Sequence, residues 1–422
     1  MENAAALDLS RWIRPGDRVC WGQATAEPLT LTRALVAQAD RLGHLRLFVG
    51  IGASDTLAAA PAAGLEVLSY CGAGTHRALA EAGRLEILPV HYSALPTLIA
   101  QGTLRIDVVL LQVSAPDADG LYSLGLANDY LVPCIQAARV VIAEVNPEVP
   151  FTFGSRLLAA EDFDLLVEAG HPPLESATPR RSVTDAEIAR RVAGLVEDGA
   201  TLQIGIGAIP DAVLAALHGH RDLGLHTGAA SDGVALLAQQ GVLTNARKSI
   251  DRGVGVAGLL MGGATLRRWA NRNPALHLRG CEYTHAADVL ARIDRFVAIN
   301  SAIEVDLTGQ VNAEVANGVY VGAVGGAVDF LRAAARSRGG VPIVALPSMA
   351  GSRSRIVATL SGPVSTARSD AGIVVTEHGS ADLRGQPLSA RVRRMIEIAA
   401  PEQREGLERQ ARELLARQGA PL

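Results

Sequence analysis

The chain has 422 residues, 49% hydrophobic and 19% charged, with a formal net charge of −4. Single cores stop growing at roughly 250–300 residues, so two domains are expected. The mild acidity gives no basic stripe for nucleic acid. The lone lysine, Lys248, follows Arg247 rather than glycine, which excludes a P-loop and leaves Schiff-base chemistry one residue to use.

The opening MENAAALDLSRWIRPGD is acidic and polar where a signal peptide needs a basic start and an apolar run. No stretch of about 18 residues is free of charge and turn formers, as a membrane helix requires. A soluble cytoplasmic protein with no membrane partner is expected. Cys20, Cys71, Cys134 and Cys281 are widely spread and form no CxxC pair, so neither a disulfide framework nor a metal site is expected.

Along the chain, GDRVCWGQATAEP (Gly16–Pro28) is followed by the helical stretch TLTRALVAQADR and by LRLFVG, ending at Gly50. The order is strand, Gly loop, helix, strand. Val108–Val113 and Val140–Val145 are near-continuous apolar runs suited to a parallel sheet covered on both faces. His171–Asp185 is rich in Pro and Ser and reads as a linker, giving domains 1–178 and 179–422. GATLQIGIGAIP (Gly199–Pro210) then repeats the opening theme, with DAVLAALHGHRD and LGLHTG ending at Gly228. Duplication explains this, as does the general likeness of any two βαβ units. Arg295–Asn300, Val341–Leu346 and Gly372–Glu377 read as further strands. The final PEQREGLERQARELLARQ is an amphipathic helix, with Leu407, Leu414 and Leu415 facing a domain or a partner subunit.

The loop Gly205-Ile206-Gly207-Ala208-Ile209-Pro210 lies between a strand and a helix. A dinucleotide fold would need glycine where Pro210 stands and an acidic residue about 20 positions on at a strand end. Neither is present, and Pro210 suits the first helical position. The loop can hold a phosphate or an oxyanion on its N–H groups, or it is a tight turn with packing glycines. A second small-residue stretch, Gly322–Phe330, also precedes a helical pattern.

These residues, with LGLHT, SDGV, AINSAIEVDLTGQVNAE, VGGAVDF, VALPS, SRSRIV and VVTEHGSADLRG, resemble the acetyl-CoA hydrolase/transferase family. VSAPDADGLYSLGLANDY and VVIAEVNPEVP in the N-terminal half agree. The likeness runs from Asp8 to Leu407 and leans towards the 4-hydroxybutyrate and butyryl CoA-transferase branch. It implies two tandem, related open α/β domains of the CoA-transferase type (NagB/RpiA/CoA-transferase-like). It also implies coenzyme A or acyl-CoA as substrate, no covalently bound cofactor, a small-molecule acceptor, and a homodimer or homotetramer. By the same resemblance Gly205, Ile206, Gly207, Ala208 and Ile209 lie along the CoA, and Ile303, Gly325, Gly326 and Ala350 make further contacts.

In that family a glutamate attacks the acyl-CoA carbonyl, and the anhydride it forms is opened by the CoA thiolate. The corresponding residue here, after His226-Thr227, is Gly228, which has no side chain. The family's Gly-x-Gly-Gly-Gln also becomes Ala323-Val324-Gly325-Gly326-Ala327. Candidate substitutes each carry a structural alternative: Asp232 as carboxylate or helix N-cap, Glu282 as carboxylate or solvated charge, Glu377 as carboxylate or scaffold, and His226 and His378 as bases or packed histidines. The leading expectation is direct acyl transfer to a small acceptor, or hydrolysis, over a backbone oxyanion hole. The alternatives are a CoA-transferase using another carboxylate and a non-catalytic CoA-binding subunit.

Overall fold

The computed structural model describes residues 7–57, 64–177 and 180–417. The apolar runs of the first half become β1 (Arg18–Trp21), β2 (Leu45–Val49), β3 (Leu65–Ser69), β4 (Leu85–Ile87), β5 (Val108–Val113), β6 (Val140–Val145) and β7 (Leu165–Glu168). They pair in parallel in the order β4-β3-β2-β1-β5-β6-β7. Every residue of β5 and β6 is buried, as helices on both faces require.

The second half repeats this plan. It contains β8 (Thr201–Ile204), β9 (Gly224–Ala230), β10 (Gly255–Leu260), β11 (Leu276–Leu278) and β12 (Phe296–Ser301). The order is β11-β10-β9-β8-β12, then Val341–Ala345, Ile373–Thr376 and the antiparallel edge Gly379–Asp382. In each sheet the chain starts centrally, winds outwards over three strands, and returns to the other side. The duplicated motif is therefore a duplicated topology, and β1 and β8 stand at equivalent switch points. In open α/β sheets such points open a crevice at the carboxyl ends of the strands. One apolar core cluster runs through both halves, and the Asn128 N–H donates to the Gly258 carbonyl across the junction at 2.9 Å.

Several boundaries differ from the sequence reading. β12 begins at Phe296 because Arg295 adopts φ 48, outside strand geometry. The helix after β8 begins at Ala208, so Pro210 is its third residue, where a backbone N–H still has no intrahelical acceptor. The linker ends early in a helix, Val183–Ala193. A reciprocal cap starts that helix: Ser182 Oγ accepts the Asp185 N–H at 3.0 Å, and Asp185 Oδ2 accepts the Ser182 N–H at 2.8 Å. The 178/179 boundary falls on residues outside the described ones. The C-terminal helix, Pro401–Arg417, buries Leu407 and Leu415 in the second half's core with Met395 and Ile396. The Leu414 side chain lies outside the described residues. No helix among the described residues is long and apolar enough to cross a membrane.

Candidate active site

The carboxyl ends of β1 and β8 face each other across the junction and enclose a cavity of about 150 Å³. Gln23, Ile51, Tyr70 and Tyr92 line it from the first half. Gly205, Ile206, Gly228, His285, Gly326 and Phe330 line it from the second, over a floor formed by Gln203 and Asn300. The floor is a reciprocal amide pair, with Asn300 Nδ2 donating to Gln203 Oε1 at 2.9 Å. Among the described residues, no Asp, Glu, Lys or Arg lines the cavity. Two helices start at its wall: Ala208–Ala216 behind Gly207, and Ala327–Arg336 behind Gly326. First-turn N–H groups have no intrahelical acceptor, and the helix dipole adds partial positive charge there. The wall is thus suited to a developing oxyanion.

Gln23 organises the opposite side. Its Nε2 donates to Asp129 Oδ2 at 2.6 Å and to the Tyr92 hydroxyl at 2.8 Å, while its Oε1 accepts the Tyr70 hydroxyl at 2.7 Å and the Ile51 N–H at 3.0 Å. Asp129 lies wholly buried behind it. Burial pushes its carboxyl up to about 6, against the lowering effect of the Gln23 hydrogen bond.

His285 packs between Tyr92 and Phe330, with ring centroids 4.8 and 4.5 Å away. Burial, and secondarily the neighbouring His226, lowers its pKa to about 3, so the imidazole is neutral at physiological pH. A Cβ on Gly228 would lie 3.2 Å from both Cε1 and Nε2 of this ring, and a Cβ on Gly326 would lie 2.5 Å from Nε2. The two glycines are therefore the space the imidazole occupies.

A larger groove of about 960 Å³ adjoins the cavity and shares Ile51 and Ile206 with it. Gly207 and Asp232 line the groove. Ala208 is the first helical residue and Ile209 is buried beneath it. Ile303 and Ala350 line neither space; Ile303 N–H donates to the Asn312 carbonyl, and Ala350 lies in an exposed hairpin with Arg353. His226 is buried behind the cavity, its Nε2 3.1 Å from the Thr284 carbonyl, and burial lowers its pKa to about 3. Lys248 Nζ donates to the Leu225 and Val254 carbonyls at 2.9 and 2.6 Å, away from the cavity.

The candidate carboxylates are engaged elsewhere. Asp232 Oδ2 accepts the Gly263 N–H and Oδ1 the Leu266 N–H, both at 2.9 Å, so it caps the neighbouring helix Ala264–Ala270 and not its own. Asp232→Ala is expected to cost about 1–2 kcal/mol of stability, read as a lower denaturant midpoint with unchanged slope. Glu377 accepts the Ser348 N–H at 2.9 Å and the Ser348 hydroxyl at 2.6 Å, with His378 Nε2 3.7 Å away. Neither Glu377 nor Glu282 lines the cavity.

Models of the acetyl-CoA hydrolase/transferase N-terminal and C-terminal domains match residues 4–169 and 262–411. The chain is 39% identical over 401 residues to a 4-hydroxybutyrate coenzyme A transferase of Clostridium kluyveri, covering 94% of each. The crystal structure of RipA from Yersinia pestis superposes with a TM-score of 0.91 at 33% identity, over 96% of each chain. A 4-hydroxybutyrate CoA-transferase from Porphyromonas gingivalis gives 0.81 at 34% identity over 96% of each chain.

The chain belongs to the acetyl-CoA hydrolase/transferase family. It is an enzyme acting on acyl-CoA, a transferase or hydrolase, with the thioester as substrate. The stretch between the two matched family domains carries the Gly205 loop and Gly228. Sequence reasoning missed Gln23, Tyr92 and His285. Their shared role depends on the junction between halves, which no local spacing reports. His285 lies three residues from Glu282, whose charge drew the reading instead.

Proposed function

We propose that this chain cleaves acyl-CoA by passing the acyl group directly to a small uncharged acceptor, water included, without a glutamyl intermediate. The observation that carries this reading is a cavity lined by Gly228 and, among the described residues, by no carboxylate. Covalent CoA exchange needs a side-chain nucleophile at the thioester carbon, whereas Asp232 and Glu377 are each held by two hydrogen bonds outside the cavity. A carboxylate acceptor would also enter with no lining cation among the described residues to meet its charge.

The adjoining groove suits the pantetheine arm, with Gly207 and the exposed Ile206 along its path. The thioester oxygen then faces the two helix N-termini. A cavity of about 150 Å³ holds roughly a benzene-sized group, so a short, uncharged acyl chain is the expected cargo.

The test is incubation with acetyl-, butyryl- and 4-hydroxybutyryl-CoA, following free thiol and new acyl-CoA species. Thiol release is expected with water or a neutral alcohol, with no new thioester on adding acetate or succinate. Transfer of CoA to an added carboxylate without free thiol, together with a hydroxylamine-sensitive Glu or Asp, would overturn the reading in favour of ordinary CoA exchange.

A further inference from the structure

We propose that His285 is the base of this reaction, drawing the proton from the attacking acceptor through Nε2 in the space a side chain at Gly228 would fill. The inference rests on the direct-transfer reading and names the group that makes it work. Thr284 Oγ1 lies 3.3 Å from the Gly280 carbonyl, to which it donates, and 2.8 Å from His285 Nδ1. With the hydroxyl donating to Gly280 it accepts the Nδ1–H, and the tautomer assigned on that order carries its lone pair on Nε2. Nε2 is the ring atom nearest the Cβ position of Gly326, it lies level with Cε1 at 3.2 Å from the Cβ position of Gly228, and His285 lines the cavity. The fixed donor chain from ring to hydroxyl to carbonyl orients the base as a third group does in catalytic triads.

The step balances. The acceptor oxygen attacks the thioester carbon, its O–H proton moves to Nε2, and the carbonyl electron pair moves to oxygen at the helix N-termini. On collapse the C–S bond breaks and the same proton passes from Nε2 to the leaving sulfur. Acyl-CoA and H–OR give acyl–OR and CoA thiol. The titratable groups around the ring are Tyr92, whose burial raises its pKa, and His226, itself neutral; Asp129 lies one hydrogen bond beyond, through Gln23. None of these is in ion-pair contact with the ring, and Asp129 reaches it only through Gln23. Proton acceptance is thus favoured only when the oxyanion forms beside it, which couples the base to the attack.

The test compares thiol release by the full chain and by His285→Gln and His285→Ala, with near-ultraviolet circular dichroism to confirm the fold. Both variants are expected to lose about 10²–10⁴-fold in kcat with KM for acyl-CoA little changed, and added imidazole should restore part of the His285→Ala loss. A folded variant with kcat near the parent's overturns the role of His285 and leaves direct transfer standing. A loss that follows KM and resists imidazole reduces His285 to packing and also overturns it. Absence of thiol release by the parent chain overturns the direct-transfer reading itself.

Discussion

Gly228→Glu is expected to lower thioester cleavage by about 100-fold or more and to create no efficient CoA-transferase. The backbone does not forbid the change, since Gly228 lies in β9 without a positive φ. Space and charge do. The new Cβ would sit 3.2 Å from two atoms of the His285 ring and 3.8 Å from Phe330, so the remaining atoms of the glutamate must push the imidazole aside. The carboxyl group would also enter a cavity that no cation lines among the described residues. Burial there raises a carboxyl's pKa and so reduces the share of the carboxylate, the form that attacks. In Gly228→Glu/His285→Ala the ring's volume is returned to the cavity and the new side chain can extend into it. CoA exchange from butyryl-CoA to acetate should then exceed that of either single variant, measured by mass spectrometry of the acyl-CoA pool. Fast exchange by Gly228→Glu alone would mean that a transferase site lacked only its carboxylate, and it would remove the case for a base at His285.

The fold was legible wherever apolar runs were continuous. Val108–Val113 and Val140–Val145 appear as strands at the expected residues because both faces are covered, and the one polar residue in each, Gln112 and Glu144, is buried with hydrogen-bond partners. The site was legible only where glycine and proline mark the backbone, as at Gly205–Pro210. Gly228 became meaningful through resemblance, since a glycine in a strand says nothing of a lost side chain. Tertiary partners were beyond the sequence. Ser231-Asp232 looks like a local cap, yet Ser231 Oγ donates to Asp211 and Asp232 serves a helix that follows the next strand. Glu377 directly follows a strand, Ile373–Thr376, but that strand stands two places beyond β12 in the sheet, outside the crevice at the switch point. His285 gained its place when the loop after β11 folded over the end of β9, a juxtaposition set by strand order.

Stability is expected to fall between pH 4 and pH 6 through one residue, Asp129, by up to about 3 kcal/mol. Its carboxyl is pushed from the ordinary 3.8 to about 6 by complete burial. The folded chain therefore holds this proton more tightly than the unfolded chain does. Across the window between those values the native state binds more protons, and unfolding becomes easier as pH rises. Above about 6 the carboxylate is charged in both states and this contribution levels off. Glu27 and Asp329 are also raised by burial, so the parent's profile alone does not isolate Asp129. The measurement is the difference between parent and Asp129→Asn in urea unfolding free energy at pH 4, 5, 6 and 7. The amide keeps an acceptor for the Gln23 amide, which donates to Asp129 at 2.6 Å, but it cannot ionise. The variant should therefore gain on the parent steadily from pH 4 to pH 6 and hold that gain at pH 7. A difference that stays flat over the whole range would mean that Asp129 titrates near its ordinary value. Gln23 would then hold a charged carboxylate behind the cavity throughout the window from pH 4 to pH 6 as well as above it.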